Sequence, residues 1–297
     1  MSKITSLLLV TFALLLSAGS AQGKSPIFKH VILIASDGFS SQIVRENPGK
    51  FPNIEKLFER GSYTLEARSV LPSSSAVNWA TLLMGAGPEM HGFTEWGSKS
   101  PEVEPIYTTP QYGMFPSIFS VVRAQRPKAI TGALYSWDGI GYLFEKRAVD
   151  LDFLAPEDDD KIAQRATEYI SQAKPNFLFV YFSEPDHTGH TYGWLSQQYI
   201  TSCQKIDSLV GVVVNAIDTQ LDGKSTAIIY TSDHGGVDKG HGGKSMSEMQ
   251  VPYVMVGRGI AQGQKIEGVV MKYDNAPTVA KMLNLKVPEQ WRGRSVL

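Results

Sequence analysis

The sequence predicts an α/β protein built as a doubly wound, mainly parallel sheet with helices on both faces. Three observations carry this reading. Short apolar runs at 30–36, 129–135, 177–182, 226–231 and 252–256 are uninterrupted rather than alternating, as strands buried on both faces are. Segments of helical period separate them, which is the order of a layered sandwich. Carboxylates and histidines directly follow several of these runs, where open α/β sheets gather their ligand sites.

Helical patterns fall at 53–60, 78–84, 161–173, 196–220 and 276–283. Asp158, Asp159 and Asp160 open the third of these, where the positive end of a helix favours acid. Cys203, the single cysteine, sits on the apolar face of the fourth beside Ile206 and Val210, so it packs and forms no internal disulfide. Residues 85–112 are rich in Gly, Pro and polar side chains without a period, the signature of a functional loop or lid.

The N-terminus reads differently. Lys3, an apolar run at 7–16 and small residues at 17–21 follow the order of a secretory signal peptide. The run is shorter than the ~20 residues of a spanning helix, so export without stable membrane insertion is expected. Residues 1–21 are therefore expected to be a signal peptide, and 22–297 one domain with a small loop-rich cap. Export would place it in the periplasm or outside the cell. Lys and Arg total 28 against 29 for Asp and Glu, and no basic run occurs, which argues against long nucleic acid as a partner.

Chemistry concentrates after the strands. The first runs into Asp37-Gly38, the third into Asp186, His187 and His190, the fourth into Asp233-His234-Gly235-Gly236. An Asp-Gly after a strand is an ordinary turn, and an Asp-x-x-x-His spacing occurs by chance. Their shared place at strand ends is what points to a metal centre, because carboxylates gathered closely repel unless a cation lies between them. Oxygen and imidazole ligands without cysteine suit zinc, or manganese.

Further landmarks follow in order: Pro72 to Trp79 with three consecutive serines, Pro88-Glu89-Met90-His91-Gly92, Gly189-His190-Thr191-Tyr192-Gly193, Gly240-His241-Gly242-Gly243, and Asp274-Asn275-Ala276-Pro277. Together with the strand ends, these resemble the alkaline phosphatase superfamily, in particular its type I phosphodiesterase/nucleotide pyrophosphatase branch, over nearly the whole mature chain. The resemblance implies an alkaline-phosphatase-like catalytic domain with two divalent metal ions. By position, Asp37, Ser75, Asp233 and His234 would hold one ion, and Asp186, His190 and His241 the other, with His187 as the fallback for His241. Ser75, three residues before Asn78, would be the nucleophile, with Ser73 and Ser74 as competitors.

The implied function is a metal-dependent phosphoric ester hydrolase working through a phosphoserine on a small phosphoester or nucleotide-like substrate. A helix N-terminus at Ser75 would welcome a phosphoryl oxygen. Asn78 and Trp96 are the expected substrate contacts, although Trp96 stands where the branch has an Asn five residues after the His91 position. The aromatics Phe93, Tyr107 and Tyr112 could flank a base or aryl group, and Arg68, Lys239, Lys244 and Arg258 could meet free phosphate oxygens. No histidine precedes Tyr273-Asp274-Asn275, where the branch often has one; Lys272 stands there. Phosphomutase and phosphonate hydrolase activities share the metal set, and a sulfatase-like hydrolase of the same superfamily is a further alternative. A non-catalytic metal-stabilised binding protein is the reading from another class.

Overall fold

Apolar runs without polar interruption pair as parallel strands because either face can then be covered by helices. The computed structural model describes residues 28–297, so the signal peptide expected at 1–21 lies outside the described residues. In chain order, β1 (His30–Asp37) leads into α1 (Ser41–Glu46) and α2 (Pro52–Arg60), then β2 (Ser62–Arg68). Next come α3 (Ser75–Met84), α4 (Pro88–His91), α5 (Ile118–Gln125), β3 (Thr131–Tyr135) and β4 (Leu151–Leu154). The chain continues through α6 (Asp159–Ala173), β5 (Phe177–Pro185), α7 (Asp186–Tyr192), α8 (Gln197–Gln220) and β6 (Thr226–Ser232). It closes with α9 (Met246–Met249), β7 (Gln250–Gly257), β8 (Gln264–Lys265) and α10 (Asn275–Met282).

All eight strands form one sheet in the order β4-β3-β5-β1-β6-β7-β2-β8. Only β7 runs against its neighbours among the described strands. Side chains of β1 alternate between two cores: Leu33 and Ala35 meet Trp79, Phe119 and Val279 on one face, while Ile32 and Ile34 meet Leu57, Ile162 and Val210 on the other. Helices α3, α5 and α10 therefore cover one face and α2, α6 and α8 the opposite one, the doubly wound arrangement that the sequence predicts.

Five of the strands coincide with the apolar runs. The strands not anticipated are the polar ones. β2 alternates buried and partly exposed residues, and β4 does the same over four residues at the sheet edge. Helix α3 begins at Ser75, three residues before its apolar period becomes regular. The segment after β5, which no helical pattern in the sequence marked, is a short helix: Asp186–Tyr192 is helical, so Asp186 and His190 share one helix face.

Register explains why distant residues meet. Ser36 of β1 lies opposite Ser232 of β6, and Asp37 lies opposite Pro185 of β5. The residues that follow on β5 and β6, Asp186 and Asp233, are thereby delivered to either side of Asp37.

One buried acid outside this region is structural. Helix α2 starts without a side-chain cap of its own. Asp207, on α8, supplies the missing acceptor: it takes hydrogen bonds from Asn53 N (3.2 Å), Asn53 Nδ2 (2.8 Å) and Ile54 N (2.8 Å). Asp207→Ala would leave these donors without their acceptor and is expected to cost about 2–3 kcal/mol of unfolding free energy. Urea denaturation checks this; a loss under about 0.5 kcal/mol would mean that water replaces the carboxylate.

Candidate metal centre and active site

Asp37 ends β1 with its carboxylate split between two tasks. Oδ2 accepts from Trp79 Nε1 (3.0 Å) and from the Tyr181 hydroxyl (2.5 Å). Oδ1 is buried and has no hydrogen-bond partner; it lies 3.3 Å from His234 Nε2. That imidazole nitrogen also lies 3.1 Å from Asp233 Oδ2, likewise unpartnered, and 3.2 Å from Ser75 Oγ. His234 Nδ1 faces the Gly235 carbonyl at 2.8 Å. A carbonyl only accepts, so Nδ1 carries the proton and the neutral ring turns a bare Nε2 towards two carboxylate oxygens. Burial, and then the neighbouring His241, hold His234 well below the ordinary histidine range, so the ring is neutral.

The adjoining cluster repeats the arrangement. His190 Nδ1 faces the Lys239 carbonyl and His241 Nδ1 the Ser73 carbonyl, each at 3.0 Å. Their Nε2 atoms then point at one another across 3.1 Å, with Asp186 oxygens 3.5 Å and 3.6 Å away. Burial pushes His241 down to about 4. Asp186 Oδ1 is the third buried carboxylate oxygen without a partner. Ligand atoms of Asp186, His190 and His241 lie within 4.8 Å of one another, and so do those of Asp37, Asp186 and His234. Asp186 therefore belongs to both groups.

Lone pairs facing lone pairs in a buried site are unfavourable without positive charge between them. Burial raises the carboxyls of Asp37, Asp186 and Asp233, with the charge of Asp233 adding to Asp37 and that of Asp37 to Asp186. Lys272, itself buried and bonded to Thr231 Oγ1 and the Ser232 carbonyl, is the one cation whose charge opposes the shift at Asp233. One ammonium cannot supply the orphaned oxygens and imidazoles of both groups. The donor set fits divalent cations.

Packing fixes the cluster from behind. Gly38 has φ +67°, and a Cβ there would stand 2.9 Å from Asp186 Oδ1, so only glycine admits this approach. Asp159, which the sequence reading used only for its helix-end charge, accepts from Ser183 N (2.9 Å) and Glu184 N (3.1 Å) and anchors the segment entering α7. Trp79 and Tyr181 orient Asp37 in the same way. Trp79 closes the Pro72–Trp79 landmark without its role being legible there, and Asp159 and Tyr181 carried no motif signal in the sequence.

The expected residues separate clearly. Asp37, Ser75, Asp186, His190, Asp233, His234 and His241 converge. His187 lines the neighbouring cavity outside both groups. Ser73 Oγ donates to the Gly243 carbonyl (2.6 Å), and Ser74 Oγ has no partner. Asn78, expected to touch substrate, is fully buried outside the cavity lining. Its amide instead ties down the loop before Ser75, with Oδ1 accepting from Val70 N (2.7 Å) and Nδ2 donating to the Pro72 (3.1 Å) and Ser74 (3.0 Å) carbonyls. His91 is core, bonded to Thr81 Oγ1 and Phe93 N.

A cavity of about 560 Å³ opens before Ser75, and Trp96, Trp137 and Glu95 are among its walls. Trp96 is thus where a substrate contact was expected. Phe93 is buried, and Arg68, Lys239, Lys244 and Arg258 do not line this cavity. The α3 N-terminus offers less than the sequence suggests, since the Ala76 N–H already donates to the Trp96 carbonyl at 3.0 Å.

Comparison with known proteins agrees with this geometry. The type I phosphodiesterase/nucleotide pyrophosphatase family matches residues 31–242. Ectonucleotide pyrophosphatase/phosphodiesterase family member 1 of Mus musculus is 27% identical over 223 residues, covering 69% of this chain and 24% of the relative. Venom phosphodiesterase of Macrovipera lebetinus is 26% identical over 218 residues, covering 69% and 25%. The match spans about a quarter of the length of these relatives. Among solved structures, murine ectonucleotide pyrophosphatase/phosphodiesterase 5 superposes with TM-score 0.68 at 15% identity, covering 87% of this chain and 96% of its own. An inactive variant of that protein was solved with AMP. A 2-O GAG sulfatase reaches TM-score 0.71 at 14% identity, covering 90% and 73%. These two likenesses speak for a fold of the alkaline phosphatase superfamily. All seven converging residues lie inside the matched segment, and the chain belongs to the type I phosphodiesterase/nucleotide pyrophosphatase family.

Proposed function

We propose that this chain is a metal-dependent phosphodiesterase that hydrolyses small phosphodiesters or nucleotide-type esters through a phosphoserine on Ser75. The observation that carries the reading is the cluster of orphaned acceptors beside Ser75, three buried Asp oxygens and three inward-facing imidazole nitrogens, of which His234 Nε2 lies 3.2 Å from Ser75 Oγ. Two divalent cations, zinc or else manganese, would be held by Asp37, Ser75, Asp233 and His234 and by Asp186, His190 and His241. When bound, such ions favour the serine alkoxide and neutralise charge on the phosphoryl group. Ser75 Oγ forms the new bond to phosphorus as the ester oxygen departs, and water later cleaves the seryl ester and restores the hydroxyl. Asn78 holds the loop before Ser75, so the nucleophile is presented without rearrangement.

Diesters suit the cavity better than monoesters. A monoester dianion calls for an additional cationic side chain on its free oxygens, and none lines the wall, which carries Glu95 instead. The AMP complex of the murine structure supports nucleotide-type esters as one candidate class. A sulfatase reading has the fold in its favour only, because the residues after Ser75, Ala76 to Trp79, include neither the Pro nor the Arg that its motif needs. Export is proposed from the 1–21 pattern, and no described helix is long and apolar enough to cross a membrane.

Ser75→Ala is expected to lower kcat on bis(p-nitrophenyl) phosphate by roughly a thousandfold or more, while the variant still binds zinc. Activity within about tenfold of wild type would remove Ser75 from this role. A wild type that holds its metal by mass spectrometry yet hydrolyses no ester would instead favour a metal-stabilised binder.

Cation binding is also expected to strengthen as pH rises from about 6 to about 8. Burial raises Asp37 and Asp186, so the metal-free folded chain retains protons there above the ordinary carboxylate range. His234 and His241 are already neutral in this window. Binding must therefore expel carboxyl protons, and raising pH favours it. Calorimetry in buffers of different ionisation enthalpy should show proton release, and the Tm gain on adding cation should grow with pH. A pH-independent gain without proton release would contradict the cluster.

A further inference from the structure

The loop between β2 and α3 leads directly to Ser75, and two of its serines strap it to the candidate ligand groups. Ser69 Oγ donates to the Asp233 carbonyl, with the Met249 carbonyl 3.2 Å away. Ser73 reaches the other group through three contacts. Its carbonyl accepts from His241 Nδ1 at 3.0 Å, its Oγ accepts from Gly242 N at 3.2 Å, and the same hydroxyl donates to the Gly243 carbonyl at 2.6 Å. The fully buried hydroxyl thus spends both its donor and an acceptor on 242–243.

Both segments that meet at Ser73 are braced from their far sides. Glu248 accepts from Gly243 N (2.7 Å), Ser245 N (3.2 Å) and Ser245 Oγ (2.6 Å), which closes the turn after His241. Asn78 Nδ2 holds the Pro72 and Ser74 carbonyls on either side of Ser73. Ser73 is therefore the junction of two held pieces of backbone, two residues before Ser75.

His241 spans this junction. Nδ1 is committed to the Ser73 carbonyl, while Nε2 faces His190 Nε2 at 3.1 Å with Asp186 Oδ1 3.6 Å away. An imidazole is rigid, so whatever fixes the direction of Nε2 also fixes the peptide bonded to Nδ1. Two Nε2 lone pairs that face one another repel unless positive charge lies between them. We infer, resting on the two-ion reading above, that Ser73 is a positioning residue that couples the two halves of the site. A cation held by Asp186, His190 and His241 orders the loop before Ser75 through the Ser73–His241 junction. Linkage makes the effect reciprocal, so loosening the junction weakens the hold on that cation.

Zinc binding to the metal-free full chain is measured by competition with a chromophoric chelator, and His241→Ala marks the binding step that belongs to its group. Ser73→Ala is expected to weaken that step by roughly tenfold to a hundredfold. Ser69→Ala removes a hydroxyl from the same loop and is expected to leave the His241 step within about threefold. Glu248→Gln loosens the turn from its far side and should weaken the same step by about threefold or more, a second reading should Ser73→Ala fail to fold. Hydrogen exchange over 69–75, followed by mass spectrometry, should slow about fivefold or more when that step fills in wild type, and not in Ser73→Ala. On bis(p-nitrophenyl) phosphate at saturating zinc, Ser73→Ala should lose kcat by roughly tenfold with KM within about threefold.

A Ser73→Ala chain that binds both equivalents as wild type does, or keeps the zinc-driven protection over 69–75, overturns the coupling and leaves the function standing. Equal weakening of the His241 step by Ser69→Ala overturns it too, because the loop then acts as a whole. A wild type that takes up no zinc overturns the two-ion reading itself, and the coupling with it.

Discussion

Three buried aspartates and three histidines, of which His190 is exposed, share one small volume, and nearly every other feature of the site answers the electrostatic problem this creates. Each imidazole has its Nδ1 proton committed to a backbone carbonyl, of Gly235, Lys239 or Ser73. That commitment turns every Nε2 lone pair inward, towards carboxylate oxygens that have no donor of their own. Such second contacts fix tautomer and ring direction, and they make the glycine-rich loop around 235–243 part of the site as well as a connection. Without cations the chain can relieve the repulsion only by keeping protons on its acids, which is the direction in which burial drives Asp37 and Asp186.

A polar cluster of this kind is tolerable because the sheet beneath it is apolar on both faces. Parallel pairing of β1 with β5 and β6 sets three strand ends level, and the register alone brings Asp37, Asp186 and Asp233 together. Precision then comes from a shell of single hydrogen bonds. Trp79 and Tyr181 occupy the outer oxygen of Asp37, leaving the inner one free. Asp159 pins the entrance to α7, and the positive φ of Gly38 gives Asp186 room to approach. Tyr199 and Trp194 both donate to the Gly38 carbonyl, so the turn is held from the helix side as well.

How much of this was readable without coordinates depended on residue type. Strands β1, β3, β5, β6 and β7 were legible because burial on both faces leaves an unbroken apolar run. β2 and β4 were not, because half-covered strands keep polar residues at every second position. Helix α7 was hidden by Pro185 before it and Gly189 within it, so Asp186 and His190 read as a spacing rather than as one helix face. The convergence of Asp37, Asp233 and His234 was legible from strand-end position, whereas placing Ser75 and His241 beside them needed the family resemblance: neither a run of three serines nor a glycine-flanked histidine names its own partner. Asn78, expected as a substrate contact, is buried against the 70–74 loop, because an Asn one turn into α3 has the same spacing whether it faces outward or holds the loop. Glu95 and Trp137 carried no signal, since a lone acid and a lone aromatic acquire meaning only by sharing a wall.

Helix α3 shows how the loop-rich segment at 85–112 joins chemistry to recognition. Its inner side is tied by Asn78 to the 70–74 loop, and by Thr81 to His91 at the end of α4. Its first turn is tied by Ala76 to Trp96. The same peptide group that presents the Trp96 indole to the cavity therefore consumes a helix-end N–H that could otherwise have met a phosphoryl oxygen. With that donor spent and no Lys or Arg on the wall, this chain's own side chains leave the phosphoryl charge largely unanswered. In the proposed reading, positive charge for that step would come from cations held by the aspartates and histidines. The loop is left to shape the wall beside Ser75, apart from the cluster of aspartates and histidines that would hold cations.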